Sequence, residues 1–227
     1  DAFFEIKHNE TTELTIENQA KRGFITINKQ DSEYDNIKIE GVTFYIFDED
    51  ANFIESIITD ESGFAQSSLL PIDKTYFIVE VATNDSYILK NEMFKVNFTE
   101  NMTEEDIKEI ETDIEYELTI ENDIKRGSLQ IVKVDKDDNE IYIPNAKFEV
   151  IDETTNEVIG VVTTNENGIA VIDNLRIDHI FSIKEIETNY KYELEENIVT
   201  DIKIEADKET TIQIENEKIK GQIRVIK

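Results

Sequence analysis

Apolar and polar residues alternate with a period of two along most of the chain. In "LTIENDIKRGSLQIVKVD", residues 118–135, Leu118 and Ile120 alternate with polar residues, and the same pattern resumes after the basic segment. Because successive side chains of a strand point to opposite faces, this period predicts short β-strands. We therefore predict an all-β protein, in which residues 102–111 are the single weak helical candidate.

The pattern also repeats at long range. "ELTIENQAKRG" at 13–23 returns as "ELTIENDIKRG" at 117–127 and as "TIQIENEKIKG" at 211–221. Between these markers the turn "TDESGFA" recurs as "TNENGIA", and the strand "YFIVEVATNDSY" recurs as "FSIKEIETNYKY". Short strands and turns inside such a period predict tandem β-sandwich or barrel domains of about 100 residues each.

These markers divide the chain into two complete units and two flanking pieces. Unit one spans 20–124, with an insertion near 98–111 that unit two lacks, and unit two spans 125–219. We expect residues 1–19 to form the closing strand or strands of a preceding unit, and 220–227 to open a following unit. On this interpretation the sequence is a window of a longer tandem array, with semi-rigid connections between units.

Each unit ends three of its apolar stripes with a polar residue. These residues are a lysine, a glutamate and an asparagine: Lys29, Glu80 and Asn122 in unit one, and Lys133, Glu185 and Asn216 in unit two. Asn18 and Lys227 occupy the matching places in the flanking pieces. A buried lysine or glutamate is costly unless it is paired or neutralised, so the recurrence in phase indicates a shared role.

If the three side chains meet, they can react with one another. Burial lowers the pKa of a lysine and raises that of a glutamate, so the lysine can be a neutral amine that attacks the amide carbon of the asparagine. We expect the glutamic acid to hydrogen-bond the carboxamide, polarise its carbonyl and shuttle the proton. Ammonia would leave, and an isopeptide bond would join the first strand to the last. The alternative is a static buried salt bridge with an asparagine nearby.

The combined motifs resemble the Cna B-type, or SpaA-like, domains of Gram-positive surface adhesins and pilins. The matching segments are "INKQD" and "IVKVD", "GVTF" and "NAKF", "TDESG" and "TNENG", and the closing "LTIEN" and "IQIEN". The resemblance covers essentially the whole chain. It implies immunoglobulin-like, transthyretin-like sandwiches with an autocatalytic Lys–Asn cross-link, assisted by the glutamate, at the residues named above. The departures, at Gly41-Val42 and Asn145-Ala146, lie in turns.

Composition narrows the range of functions. The net charge of −29 argues against binding to nucleic acid or to anionic membrane surfaces, and no apolar run is long enough for direct membrane insertion. The chain has no cysteine, so a covalent tie between strands would supply toughness without disulfides. We expect no metal and no cofactor, because acidic turns such as "DKDDNE" at 135–140 lack the spacing of a calcium-binding loop.

The sequence thus predicts stalk repeats of a cell-surface adhesin or fibre, located outside a Gram-positive bacterium at its cell wall. The expected partners are neighbouring repeats of the same chain or like subunits of a fibre. The only expected catalysis is a single self-cross-linking turnover, so the chain is not expected to be an enzyme. Two other functions stay open: an adhesive module that binds a host or matrix protein through the insertion at 98–111, and a subunit of a self-assembling, pilus-like filament.

Overall fold

The computed structural model describes residues 20–195 and 198–227, and strands dominate this part of the chain. Unit one contains β1 (Arg22–Asp31), β2 (Thr43–Asp48), β3 (Phe53–Ile58), β4 (Phe64–Gln66), β5 (Leu70–Pro71), β6 (Thr75–Ala82), β7 (Met93–Asn97), the helix α1 (Glu104–Glu109) and β8 (Ile114–Asn122). Unit two contains β9 (Arg126–Asp135), β10 (Lys147–Asp152), β11 (Glu157–Thr163), β12 (Ile169–Arg176), β13 (Ile180–Glu187), β14 (Ile198–Lys203) and β15 (Glu209–Asn216). The prediction of a nearly all-β protein is confirmed.

Each unit is built from two sheets with a hydrophobic core. In unit one, β1 pairs with β4 and β5 on one side and with β8 on the other, and the second sheet has the order β3-β2-β6-β7. In unit two the corresponding sheets have the orders β12-β9-β15 and β11-β10-β13-β14. Each unit has its own cluster of buried apolar side chains. The predicted tandem β-sandwich repeats are therefore present.

The first and last strands of each unit lie side by side and run parallel. β1 pairs with β8, and β9 pairs with β15, each over eight or more residues. The cross-strand neighbours of the two stripe-ending lysines are Ile120 and Ile214, and each of these lies two residues before the asparagine of its unit. Lysine and asparagine are thus diagonal neighbours on one face of the sheet, within reach of long side chains.

The insertion of unit one is docked against the domain. Lys21 Nζ donates to the main-chain carbonyls of Lys108 (2.8 Å) and Ile110 (3.0 Å), where a cation is favourable because helix α1 ends there. The side chain of Ile110 packs against the core, and Phe98 is buried within it. The helical candidate is therefore a short helix, and the start of the insertion is part of the core.

The two units are joined by residues that are themselves part of the folded structure. Ile124 is buried in the core of unit one, and the Lys125 N–H donates to the Ser86 carbonyl (2.8 Å). Ile177 of unit two packs against both cores. Its N–H donates to the Lys125 carbonyl at 3.3 Å. The connection is therefore held by contacts from both sides.

The flanking pieces remain predictions. Residues 1–19, and Asn18 with them, lie outside the described residues. Residues 221–227 are exposed and have no assigned strand, so nothing tests whether Lys227 belongs to a further unit. In the described ranges, no helix is long and apolar enough to cross a membrane.

Candidate functional site

The lysine, glutamate and asparagine of unit two converge in its core. Lys133 Nζ donates to Asn216 Oδ1 and lies 3.2 Å from Glu185 Oε2. Asn216 Nδ2 donates to Glu185 Oε1 at 3.0 Å, which closes a three-membered network. Lys133 and Asn216 are fully buried, and Glu185 is 3% exposed. All three residues singled out by the sequence pattern therefore meet.

The same three residue types converge in unit one, in a looser arrangement. Asn122 Nδ2 donates to Glu80 Oε1 at 2.5 Å, but Lys29 Nζ is 3.7 Å from Glu80 Oε2 and donates to the Ile120 carbonyl at 3.2 Å. Glu80 Oε2 and Asn122 Oδ1 are buried and have no hydrogen-bond partner among the described residues. Both atoms are thus available to a lysine amine that moves closer.

The turn glycines position the backbone of each lysine. The Lys133 N–H donates to the Gly168 carbonyl (2.8 Å), and the Lys29 N–H donates to the Gly63 carbonyl (2.7 Å). Both glycines have φ near +70°, in the left-handed region. A Cβ at Gly168 would lie 2.6 Å from the Lys133 carbonyl oxygen, and one at Gly63 would lie 2.3 Å from that of Lys29. The "TDESG" and "TNENG" turns therefore need glycine to pack against the reactive strand.

A buried phenylalanine lies opposite the glutamate of each site. In unit two, Phe148 of β10 is the cross-strand neighbour of Glu185 of β13. The centroid of its ring is 5.8 Å from Lys133 Nζ. In unit one, Phe44 lies opposite Glu80, and both residues are buried. The lysine amine is therefore removed from water in both units.

Burial changes the protonation of the two lysines. It lowers the pKa of Lys29 to about 8, although the nearby Glu80 carboxylate opposes this shift. Burial also lowers the pKa of Lys133, against the opposing charge of Glu185. A neutral and nucleophilic amine is thus far easier to reach in the core than on the surface.

The glutamates approach the asparagines from the nitrogen side, which differs from the sequence-based expectation. We expected the glutamic acid to polarise the amide carbonyl, whereas Oε1 of both Glu80 and Glu185 accepts a hydrogen bond from Nδ2. The glutamate oxygen accepts from the amide NH₂, and in unit two the amide oxygen in turn accepts from the lysine. In unit two the carboxylate therefore bridges the lysine amine and the amide nitrogen.

Two threonines complete the surroundings of the amides, and sequence reasoning missed them. Thr188 Oγ1 accepts from Asn216 Nδ2 at 2.9 Å, and Thr83 Oγ1 accepts from Asn122 Nδ2 at 3.3 Å. The signal was present in the repeats, because "EVAT" and "EIET" place a threonine three residues after each glutamate.

A buried aspartate follows each lysine by two residues and binds a cation. In unit two, Asp135 Oδ2 accepts from the Tyr192 hydroxyl (3.0 Å) and pairs with Lys218 (2.5 Å), a contact that lowers its pKa to about 2. In unit one, Asp31 pairs with Arg176 of unit two at 2.8 Å. In unit one, the positively charged partner of the aspartate is therefore a side chain of unit two. No group of side chains that could hold a metal ion is found in the two described ranges.

Comparison with known protein families places both units in one family. The model of the SpaA prealbumin-like fold domain matches twice, at residues 23–119 and 127–218. The chain belongs to this family. No curated protein sequence matches it.

Among solved structures, the chain is similar to the Bacillus anthracis TIE protein, with 25% sequence identity and a TM-score of 0.56. This similarity covers 87% of the chain but only 35% of the TIE protein, so the chain spans about a third of that relative. Two further similar structures are pilins. The Streptococcus agalactiae minor pilin GBS52 has 18% identity over 90% of this chain and 100% of its own, with a TM-score of 0.39. The Bacillus cereus major pilin BcpA has 13% identity over 88% and 100%, with a TM-score of 0.37.

Proposed function

We propose that the chain is a structural stalk segment of a Gram-positive bacterial surface adhesin or pilus-like fibre, and that each SpaA domain cross-links itself with a Lys–Asn isopeptide bond. The observation that supports this most directly is the buried network of Lys133, Glu185 and Asn216, in which the amine touches the amide group. Membership of the SpaA family and the parallel pairing of first and last strands add support. The proposed site of action is the cell wall surface.

The reaction needs no external reagent. The neutral Nζ of Lys133 attacks Cγ of Asn216, so an N–C bond forms and the Cγ–Nδ2 bond breaks. Glu185 takes one proton from the amine through Oε2 and delivers one to the leaving nitrogen through Oε1. That nitrogen departs as ammonia, and the product is a neutral secondary amide. Lys29, Glu80 and Asn122 have the same roles in unit one.

The bond would change how a unit carries load. In a pulled array, force enters at the start of the first strand and leaves at the end of the last. The cross-link joins these strands near the ends where Lys133 and Asn216 lie, so tension would pass from one strand to the other without extending the residues between them. The cross-link would also close the loop between Lys133 and Asn216. By analogy with a disulfide, this closure would raise the free energy of unfolding by on the order of 4 kcal/mol.

Intact mass spectrometry tests the proposal by comparing the unsubstituted chain with three variants. Glu80→Gln and Glu185→Gln each remove the glutamate of one site, and Glu187→Gln is the control. Glu187 is an exposed glutamate near the end of the same strand β13, so its change alters charge without touching the network. We expect the purified chain and the control to be lighter than the sequence by two ammonia molecules. Each of the other variants should lose one only. A mass equal to that of the sequence would leave static salt bridges as the correct account.

A second candidate function is direct adhesion by unit one. The rings of Tyr45, Phe47 and Phe53 form a cluster with centroids 5.2 to 6.4 Å apart. Phe53 is 55% exposed, and the matching place in unit two is occupied by Val158, which pairs with Ile151 as Phe53 pairs with Phe47. Aromatic clusters of this kind are enriched in protein interfaces.

Binding to immobilised extracellular-matrix proteins distinguishes this candidate. We would compare Phe53→Ser with Val158→Ser, a matched exposed apolar position of unit two. Loss of binding in the first variant alone supports adhesion through the cluster. Binding that is absent, or equal in both variants, removes the candidate.

A further inference from the structure

In both units the two hydrogens of the asparagine amide nitrogen have separate acceptors. One acceptor is the glutamate, and the other is the hydroxyl oxygen of a threonine that lies three residues further on, just beyond the end of the same strand. We propose that Thr83 and Thr188 are positioning residues for the cross-linking reaction, which hold the carboxamide in its reactive orientation. This inference rests on the proposed function and deepens it at the same site.

The hydrogen bonds define which atom of the amide faces the lysine. A carboxamide is nearly symmetric in shape, but its nitrogen donates and its oxygen accepts. With Glu185 and Thr188 both accepting from Nδ2, the plane of the Asn216 amide is fixed by two contacts on one edge. Its oxygen is thereby turned to the amine of Lys133.

A single contact would not fix that plane. Glu185 alone would allow the amide to rotate about the bond that joins it to its side chain, and this rotation would change the angle at which Nζ approaches Cγ. Attack on a carbonyl carbon depends on that angle, and small displacements reduce rates strongly. The threonine hydroxyl therefore adds orientation without touching the bond that forms.

The two units differ in the way that this role predicts. The threonine contact is 2.9 Å in unit two and 3.3 Å in unit one. The distance between lysine and glutamate follows the same order, with 3.2 Å in unit two and 3.7 Å in unit one. We therefore expect unit two to react faster than unit one.

For the test, the unfolded chain is recovered from inclusion bodies in urea and diluted into buffer so that it folds. The loss of ammonia is then followed over time by intact mass spectrometry. All proteins carry Glu80→Gln, so that unit two alone can react. We compare this parent with Thr188→Val, which keeps the shape but removes the acceptor, and with Thr188→Ser, which restores it. The expected result is a rate at least about tenfold lower for valine and a rate close to that of the parent for serine.

Folding is checked separately by thermal unfolding of Thr188→Val in a Glu80→Gln, Glu185→Gln background, where neither unit reacts. An unchanged midpoint there, together with a slow reaction, supports positioning. Equal rates for valine and parent would overturn this inference alone. A lowered midpoint without rescue by serine would also overturn it, because packing would then explain the effect. No ammonia loss from the parent would overturn both this inference and the proposed function.

Discussion

At the scale of single residues, the lysine of the proposed cross-link destabilises the fold in which that bond has not formed. The pKa of Lys29 is about 8 in the folded protein, below the ordinary 10.5. Between these two pH values the unfolded chain binds a proton that the folded chain does not, so the unreacted unit gains stability as pH rises through this window. The proposed amide bond would remove the titrating group and, with it, the destabilisation.

The rate of cross-linking in unit one should therefore depend on pH. Only the neutral amine attacks, and with a pKa of about 8 it makes up roughly a tenth of Lys29 at pH 7. We expect the rate of ammonia loss from refolding Glu185→Gln protein, in which unit one alone reacts, to rise with pH and to level off above about 8. A rate that stays flat from pH 6 to 9 would show that amine deprotonation does not limit the reaction.

Sequence patterns could identify the residues of the candidate site but not their orientation. Strand alternation and the repeat predicted that Lys133, Glu185 and Asn216 share the interior, because both depend only on residue order. The side of the amide that Glu185 approaches depends on rotamers, which alternation does not determine. Thr188 was missed because it follows the end of the buried stripe, where alternation gives no signal, although a threonine recurs at the same place in both units.

At the scale of elements, the turn after β3 sets the position of the reactive strand. Gly63 and Gly41 both have positive φ, but only a Cβ at Gly63 would collide, at 2.3 Å from the Lys29 carbonyl oxygen. A Cβ at Gly41 would meet nothing within 4 Å. Comparing substitutions at the two glycines therefore separates the cost of left-handed backbone from the cost of displacing the lysine strand.

Alanine substitution at these two glycines should have unequal effects. We expect Gly41→Ala to cost roughly 1–2 kcal/mol, from left-handed backbone alone, and Gly63→Ala to cost more because the lysine strand must shift. Urea unfolding in a Glu80→Gln background, which excludes the cross-link of unit one, measures both. Equal losses of unfolding free energy would contradict a positioning role for the turn.

Strand positions and turns could be predicted because periodicity and glycine reflect local geometry. The parallel pairing of first and last strands could not be obtained from periodicity, which carries no information about partners. The docking of α1 was also missed, because Lys21 is distant in sequence from the carbonyls of Lys108 and Ile110.

At the scale of the whole molecule, an arginine of unit two holds unit one. The Arg176 guanidinium lies 2.8 Å from Asp31 Oδ2 and 3.1 Å from Glu33 Oε2, and it stacks over the ring of Tyr34 with 4.7 Å to the centroid. Arg176 and Asp31 are 4% and 1% exposed. Removing one partner of a buried ion pair leaves the other charge uncompensated in the core. The repeat could not predict this contact, because the position of unit one that matches Arg176 is occupied by Pro71.

Removing that arginine should loosen the joint. We expect Arg176→Ala to broaden the distance distribution between spin labels at Ile58→Cys and Val158→Cys, since both sites are exposed and the chain has no native cysteine. Pulsed electron spin resonance provides the measurement. Lys147→Ala, which breaks an exposed pair with Glu187 inside unit two, is the matched control and should leave the width unchanged. The same narrow distribution in Arg176→Ala would show that the joint does not depend on this contact.

The central claim is that each unit ties its own first strand to its last, and peptide sequencing by tandem mass spectrometry after proteolysis tests it most directly. The account predicts two branched peptides, one joining Lys29 to Asn122 and the other joining Lys133 to Asn216, each lacking one ammonia. Digests that contain only linear peptides, with these lysines and asparagines unmodified, would contradict it.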